Sequence, residues 1–266
     1  MTRLYNSHGM LSNLRTAPLI LALDTSSKTT SIALAEGEQA LAGIEAAASD
    51  RRSERLWTQA RFLLAEAGRS LDDVQLFAVC IGPGGFTGIR VGVAAAKGFA
   101  MASGRPLIGV TSLEATALAA GPAPAVCVAI KAYRGDVYHQ LFSLDLGQWP
   151  AALAVPLAEP PEMLARRIAE LETLVLAGDA AGDVVESLAR LRSAERVQSS
   201  AFRLPLVVQT SRLRAYDVAR AAFLRFRSGE AGDSETVSAC YVRPAEAEVK
   251  LSLGLVGKKQ HRPDGN

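Results

Sequence analysis

Runs of apolar and polar residues divide the first part of the chain into short strands and two longer helices. The runs at 19–23 and 76–81 are short, and the second is apolar throughout, as expected of a central strand covered on both faces. Apolar residues at helical spacing predict a helix over 52–67. The glycines at 82–85 end the second of these strands and precede another helix, predicted over 86–103. With two more β-rich segments after the first strand, this unit has the order strand, strand, strand, helix, strand, helix.

The same order of elements returns, more loosely, after residue 124. Two such units in one chain predict an internally duplicated α/β fold. Thr111 and Glu114 have the spacing of a capping box, which predicts a further helix between the units. The remaining elements are predicted at 126–130, 137–144, from 161 onward, 174–177, 183–191 and, as a last helix, 213–227.

A chain of 266 residues is long enough for two modest lobes, each with its own core. We expect an N-terminal lobe over 18–111 and a C-terminal lobe over 112–243. Residues 1–17 and 244–266 lack a hydrophobic period that would predict packing, and we interpret them as flexible tails.

Composition narrows the class of protein. Hydrophobic residues make up 49% of the chain and charged residues 21%, which is ordinary for a soluble globular protein, and the net charge of +2 does not by itself argue for nucleic-acid binding. The first apolar run ends at Asp24, far short of the roughly 20 residues of a membrane span. Three widely spaced cysteines offer neither a disulfide framework nor a metal clamp. We therefore expect a soluble, cytoplasmic protein that does not contact membranes.

The histidines argue against several enzymes. There are three, and no HExxH pair is present to hold the zinc of a peptidase or glycoprotease. No GxSxG motif accompanies His139, so a serine hydrolase is not indicated either. We expect no catalytic residue of these kinds, no metal and no cofactor.

Two motifs allow a nucleotide or phosphate site. Asp24, Thr25 and Ser26 follow the first strand, where a carboxylate can hold a metal and where hydroxyls can meet phosphate. The glycines at 82–85 precede a helix, whose N-terminal amides can bind an anion. The alternative is that both segments are tight turns that satisfy their own amides. Lys131, at the equivalent place in the second unit, would repel Mg²⁺ and argues against ATP hydrolysis.

The helix predicted over 86–103 is apolar on nearly all sides and rich in glycine and alanine. Arg90 and Lys97 are its charged residues and lie on one stripe, seven positions apart. Such a helix must be covered, and its small side chains allow another helix to approach closely. It either packs wholly inside this chain or, with the helix over 52–67, forms a subunit interface. Both interpretations stay open on the pattern alone.

Four segments, taken together, resemble successive signatures of the TsaB (YeaZ) family. They occur in the family's order and span roughly residues 19 to 248, and the glycine-rich block is highly specific. The segments are LALDTS (21–26), GPGGFTGIRVG (82–92), GVTSL (109–113) and YVRPAEAE (241–248).

The resemblance implies a two-lobed α/β fold of the actin, hexokinase and Hsp70 type, a duplicated ribonuclease-H-like unit. It implies a non-catalytic scaffold that binds and activates a TsaD-like paralogue in threonylcarbamoyl transfer to tRNA adenosine, with a TsaE-like ATPase reached through the complex. In this family the first two helices pair with those of TsaD, or with a second copy when TsaD is absent, so a homodimer is expected alone. Contact with tRNA is expected to be indirect.

The resemblance and the helix pattern together give two sets of site residues. The predicted partner interface comprises Arg52, Leu56, Ala60, Leu63, Gly88, Gly92, Ala95, Ala96 and Phe99. The predicted vestigial nucleotide- or phosphate-binding residues are Asp24, Thr25, Ser26, Gly82, Gly84 and Gly85.

Two departures from the family pattern stand out. Arg52 occupies the place of a histidine that commonly opens the first helix, and Lys131-Ala132-Tyr133 replaces a DAR segment. The first change bears on the partner interface and the second on nucleotide binding. The alternative function is an ATP-dependent phosphotransferase or ATPase of the same fold, using Asp24, the glycines at 82–85 and Gly178-Asp179. Arginines between 212 and 227 are interpreted as a solvated face rather than a tRNA contact.

Overall fold

The structure is a computed structural model that describes residues 17–47, 52–169, 171, 173–195, 207–210, 213–230 and 232–243. The predicted tails, apart from Ala17, lie outside the described residues. Within the described ranges, no helix is long and apolar enough to cross a membrane.

The first sheet is built from the elements that the hydrophobic pattern predicts. Its strand order is β3-β2-β1-β4-β5, with β1 antiparallel to β2 and parallel to β4. Strands β1 and β4 are buried almost throughout, which is why both are apolar along their length. The elements are β1 (Leu19–Asp24), β2 (Thr29–Glu36), β3 (Gln39–Ala47), α1 (Arg52–Glu66), β4 (Leu76–Gly82), α2 (Phe86–Ser103) and β5 (Leu107–Thr111).

The second sheet repeats this topology. Its order is β11-β10-β6-β7-β8, with β9 also paired to β7, and its central strand β6 is antiparallel to β7 and parallel to β10. Two sheets of the same order confirm the predicted duplication and the two-lobed fold. The elements are α3 (Ser112–Ala120), β6 (Ala123–Lys131), β7 (Val137–Leu144), β8 (Ala151–Ala152), β9 (Leu157–Glu159), α4 (Pro161–Ile168), β10 (Val175–Ala177), α5 (Ala181–Glu195), β11 (Val207–Gln209) and α6 (Ala215–Arg227).

Helices cover both faces of the first sheet. Helices α1 and α2 pack on one face, where Leu21, Phe77 and Ile89 share a core. Helix α6 packs on the other face, and its alanines meet Ile20 and Ala78. Helix α6 follows the second sheet in the chain, so the chain returns to the first lobe after completing the second. The lobe boundaries expected from the sequence do not include this return.

The predicted capping box at the start of α3 is confirmed. The Thr111 hydroxyl accepts a hydrogen bond from the Glu114 amide at 3.1 Å, and the Glu114 carboxylate accepts from the Thr111 amide at 3.0 Å. The other carboxylate oxygen of Glu114 accepts from Arg225 of α6 at 2.9 Å. Arg225 also donates to the Gly109 carbonyl at 2.8 Å and lies over the Trp149 ring at 4.3 Å. One guanidinium thus connects α6, β5, α3 and the loop before β8.

Arg225→Ala should lower the free energy of unfolding by roughly 2–3 kcal/mol, because it leaves the largely buried Glu114 carboxylate without its cation. The matched control is Arg227→Ala on the same helix, whose side chain is 57% exposed and lies 3.9 Å from Glu38. That change should cost less than about 1 kcal/mol. Urea denaturation of both variants compares them, and equal losses would contradict the assigned role of Arg225.

In the part of the second lobe that the structure describes, His139 is a buried ionisable group with a defined partner. His139 of β7 is 6% exposed, and its Nε2 lies 2.9 Å from Oε1 of Glu159 on β9. Arg167 of α4 donates to the same oxygen at 2.7 Å. Burial lowers the pKa of His139 below its ordinary value of 6.5, although the Glu159 carboxylate opposes this shift. His139 is therefore neutral in the folded protein near pH 7.

This shift predicts a pH dependence of stability. Below pH 6.5 the unfolded chain binds a proton at His139 that the folded chain resists, so stability should fall as the pH drops through that value, by at most about 1.4 kcal/mol per pH unit. Well above pH 6.5 the histidine is neutral in both states and contributes no slope. The His139→Gln variant should lose most of the slope between about pH 6.5 and pH 5. Unfolding free energies from urea titrations at each pH measure it, and an unchanged slope would contradict the assignment.

Candidate functional site

An apolar groove of about 780 Å³ lies between α1 and α2. We call it the α1–α2 groove. Trp57 of α1 is 46% exposed and stacks on Phe99 of α2, with ring centroids 5.5 Å apart. Exposed aromatic and small apolar surface of this extent is typical of a docking surface. The lining residues are Trp57, Leu71, Phe86, Thr87, Arg90, Val91, Ala94, Ala95, Gly98, Phe99 and Ala102.

The exposed residues of α2 form one stripe along the helix, which we call the outer stripe. They recur at three- and four-residue intervals, as one face of a helix requires. Small side chains occupy most of the stripe, so a second helix could approach it closely. The outer stripe consists of Thr87, Arg90, Ala94, Gly98, Met101 and Ala102.

Among the residues that the structure describes, none packs on Gly98 closely enough to require a glycine. A Cβ built at Gly98 meets no heavy atom of these residues within 4 Å. Glycine inside a helix costs about 1 kcal/mol relative to alanine. The contrast is Gly92 on the opposite face of α2, where a Cβ would lie 2.2 Å from Oγ1 of Thr25. Gly92 is required by the fold, whereas Gly98 is not.

The structure buries most of the predicted interface residues inside the chain's own core. They pack beneath the groove and fix the positions of α1 and α2, so they support a docking surface without forming its exterior. Ala95 is half-buried and, like Phe99, lines the groove. The side chain of Arg52 lies outside the described residues. The buried ones are Leu56, Ala60, Leu63, Gly88, Gly92, Ala96 and, at 7% exposed, Phe99.

The residues that sequence reasoning missed are on the outer side of both helices. Trp57, Ala94 and Gly98 line the groove, but none of them was predicted as an interface residue. A usable signal was present, because Ala94 and Gly98 lie four and eight positions after Arg90 and a charged residue marks the solvent side of a helix. Trp57 gave no such signal, since an aromatic residue beside a buried leucine is as typical of a core.

The two predicted vestigial nucleotide motifs pack against each other. Asp24, Thr25 and Ser26 are all buried. The Asp24 carboxylate accepts from the Ser26 amide at 2.9 Å, and the Thr25 hydroxyl donates to the Gly88 carbonyl at 2.7 Å. The Gly85 amide, at the start of α2, donates to the Ser26 carbonyl at 2.6 Å.

The glycine-rich turn is therefore explained by packing on the Thr25–Ser26 turn. A Cβ at Gly84 would lie 2.4 Å from the Ser26 carbonyl oxygen, so this close approach requires glycine. Gly82 is buried, and a Cβ there would meet the Cys240 carbonyl oxygen at 2.9 Å. These contacts favour the structural interpretation of the motif over phosphate binding.

Burial of the turn formed by Asp24, Thr25 and Ser26 goes with burial of the neighbouring Cys80, whose pKa is shifted. Burial, with a smaller contribution from the negative charge of Asp24, raises the pKa of the Cys80 thiol well above its usual value. Across the part of the chain that the structure describes, no group of three or more histidine, cysteine or acidic side chains could hold a metal ion.

Lys131 ends β6 as Asp24 ends β1, so the predicted equivalence of the two positions is confirmed by the sheet topology. The Lys131 amide donates to the Asp179 carboxylate at 2.8 Å, and its Nζ lies 3.8 Å from Asp183. Asp179 thus caps the backbone at the end of β6. The lysine is exposed and puts a positive charge where the first lobe has a carboxylate.

Comparison with known proteins gives a consistent result. The family model TsaD, described as tRNA N6-adenosine threonylcarbamoyltransferase, matches residues 44–195. The tRNA threonylcarbamoyladenosine biosynthesis protein TsaB of Escherichia coli is 34% identical over 129 residues, which cover 47% of this chain and 55% of that protein. TsaB of Haemophilus influenzae is 37% identical over 157 residues, covering 54% and 66%. The match thus spans about half the length of the first of these relatives.

A solved structure extends the likeness over most of the chain. YeaZ from Pseudomonas aeruginosa superimposes with a TM-score of 0.67 at 28% identity, covering 84% of this chain and 99% of that one. The family model covers more than half of the sequence, and the solved relative shares the fold. The chain belongs to the TsaB (YeaZ) family, whose members are related in sequence to the tRNA N6-adenosine threonylcarbamoyltransferase TsaD.

Proposed function

We propose that this chain is a non-catalytic subunit in the biosynthesis of threonylcarbamoyladenosine in tRNA, and that it binds a TsaD-like paralogue through the α1–α2 groove. The observation that carries the proposal is the exposed apolar groove, whose wall contains a helical glycine that packing among the described residues does not require. A partner helix resting on Gly98 supplies the missing reason for that residue.

The physical argument begins with exposed apolar surface. Trp57 and Met101 are 46% and 70% exposed, and the α1–α2 groove, which Trp57 lines, is lined almost entirely by carbon. Burying such surface contributes about 25 cal/mol per Å². Two helices with glycine and alanine at their contact can pack with their axes near the lower end of the usual range of about 8–10 Å. This close packing increases the area that each helix can bury.

The sequence relationship suggests which protein supplies the partner helices. The region similar to TsaD, residues 44–195, contains both α1 and α2. A paralogue of the same fold would carry two corresponding helices with a corresponding apolar face. Two such pairs can pack as a four-helix layer, in which each chain covers the groove of the other.

The other members of the complex follow from this role. A TsaE-like ATPase would reach the subunit through the TsaD-like partner, and tRNA would be contacted indirectly. Arg214, the N-cap residue of α6, pairs with Glu45, and Arg225 within the helix pairs with Glu114, so two arginines of this region are already neutralised and offer little to a phosphate. A homodimer through the same groove is expected when the partner is absent.

Gly98 allows the docking role to be separated from stability. Gly98→Ala should raise the free energy of unfolding by up to about 1 kcal/mol, because alanine favours the helix and meets no neighbour. Gly98→Leu should keep the fold yet weaken binding to the same organism's TsaD-like protein by roughly 10- to 100-fold, because overpacking a close helix contact costs 1–3 kcal/mol. Isothermal titration calorimetry measures the binding, and tRNA threonylcarbamoylation by the same organism's complete set of threonylcarbamoylation proteins measures function.

The matched control is Gly182→Leu in α5, another helical glycine with nothing within 4 Å of a built Cβ. It should leave binding and threonylcarbamoylation unchanged. Equal affinity of the wild type and Gly98→Leu would exclude the groove as the docking surface. Magnesium-dependent ATP turnover by the chain alone, lost in Asp24→Asn, would instead favour the phosphotransferase alternative.

Gly92 is unsuitable for this test of the docking surface, although the sequence pattern alone would suggest replacing it. A side chain at Gly92 collides with Thr25, so we expect Gly92→Ala to lower the free energy of unfolding by about 1–3 kcal/mol and bulkier residues to cost more. Thermal and urea denaturation of Gly92→Ala and Gly98→Ala should therefore show shifts of opposite sign. Shifts of the same sign would mean that the two faces of α2 are wrongly assigned.

A further inference from the structure

Arg90 is the charged residue at the rim of the α1–α2 groove, and the structure holds it in one orientation. Its Nε donates a hydrogen bond to the Tyr241 hydroxyl at 2.9 Å. Its guanidinium carbon lies 3.7 Å from the centre of the Phe86 ring. The rings of Phe86 and Tyr241 contact each other, with centroids 5.0 Å apart. An exposed arginine with a stacked face and an anchored Nε has lost most of its rotamer freedom.

Tyr241 comes from the C-terminal strap, by which we mean residues 233–243. Val237 and Ala239 pack on the core under α2, and the Cys240 amide donates to the Ile81 carbonyl at 2.7 Å. The last described residue, Arg243, pairs with Asp136 and donates to the Ala158 carbonyl of β9 at 2.6 Å. The strap is therefore fixed to the first lobe before Tyr241 and to the second lobe after it.

The charge of Arg90 is unmatched on this face. Among the described residues no carboxylate lies within ion-pair distance of its guanidinium, and α2 contains Arg90 and Lys97 but no acidic residue. The two terminal nitrogens of a guanidinium whose Nε is occupied can still bind a carboxylate with two parallel hydrogen bonds. If a partner without a carboxylate covered this guanidinium, the guanidinium would lose its hydration without forming an ion pair to replace it.

We propose that Arg90, positioned by Tyr241 of the C-terminal strap, is the cationic anchor of the α1–α2 groove and that the partner presents an aspartate or glutamate side chain to it. This inference rests on the proposed docking function and adds the chemistry of the partner surface. Because the guanidinium is fixed before binding, little side-chain entropy is lost when the ion pair forms. The strap thereby makes the docking surface depend on a residue that is 151 positions away in the sequence.

The same charges favour a different protein over a second copy of this chain. Two copies facing each other through α2 would bring Arg90 and Lys97 of each copy together without an acidic residue from either α2 helix. Like charges at a covered interface cost binding free energy, so a second copy, expected here when the partner is absent, should bind more weakly than the partner does. The expected occupant is therefore a protein with a corresponding apolar helix pair that carries a carboxylate opposite Arg90.

The test measures binding of the full chain to the same organism's TsaD-like protein by isothermal titration calorimetry at low and high salt. We expect Arg90→Gln to weaken binding at least about 30-fold and to reduce its salt dependence, since one fully covered ion pair is lost. Arg90→Lys should restore only part of the affinity because an ammonium cannot bind a carboxylate in the same two-bond geometry. The matched control is Lys97→Gln, the other cation of α2, which should change affinity less than about twofold.

Tyr241→Phe tests the positioning step separately, because it removes the hydroxyl and keeps the ring that packs on Phe86. We expect binding about three- to tenfold weaker. In the free protein, the NMR signal of the Arg90 Nε proton should be protected from solvent exchange in the wild type and lost in Tyr241→Phe. An Arg90 signal that is equally exposed in both would overturn the positioning role.

Charge reversal identifies the partner group. Arg90→Glu should abolish binding, and one Asp→Arg or Glu→Arg change in the first two helices of the partner should restore it. If the wild type does not bind the TsaD-like protein, the proposed function fails. If the wild type binds but Arg90→Gln binds equally well, or if Lys97→Gln weakens binding as much, the proposed function stands and this inference is overturned. A dimer of this chain that Arg90→Gln disrupts would also overturn the choice of a different protein as partner.

Discussion

The contact on which the site depends is the close approach of α2 to the turn formed by Thr25 and Ser26. Glycine at positions 84 and 92 allows it, since a Cβ at either position would overlap atoms of that turn. Hydrogen bonds from Thr25 to Gly88 and from Gly85 to Ser26 then fix both the start and the rotation of the helix. Once the inner face of α2 is fixed, the residues on the other side of the helix must face outward. The small-residue outer stripe and the groove beside α1 follow from that rotation.

The order of the elements along the chain and the duplication of that order could be predicted from the sequence, because both depend on local patterns. Buried strands read as apolar runs, and the Thr111–Glu114 spacing gives the capping box of α3 directly. The return of α6 to the first sheet could not be predicted in this way. Its alanine-rich face shows that the helix is buried, but the sheet on which it packs is decided by contacts with β1 and β2, nearly 200 positions earlier. Hydrophobic periodicity contains no information about such distant pairings.

The candidate site shows the same limit at the level of single residues. The sequence pattern selected α1 and α2 but could not distinguish their inner from their outer faces, so buried residues such as Leu56 and Ala96 were included and Trp57 was left out. Glycine was ambiguous for a related reason. Gly92 and Gly98 lie six positions apart in one helix. Only the atoms around each show that a side chain at Gly92 would collide with Thr25, whereas a Cβ at Gly98 would meet none of the described residues.

The charges at the ends of β1 and β6 suggest how a fold that is shared with nucleotide-handling enzymes could serve the docking function that we propose. Asp24 is buried and satisfied by its own turn, whereas the equivalent Lys131 is exposed and offset by Asp183. Two carboxylates facing each other across a cleft would attract a divalent cation, but a carboxylate and an ammonium would not. In the glycine-rich turn, the Gly85 amide is used to hold the start of α2. The tight turn, explained by its packing, positions the outer stripe, which is the face that we propose a partner recognises.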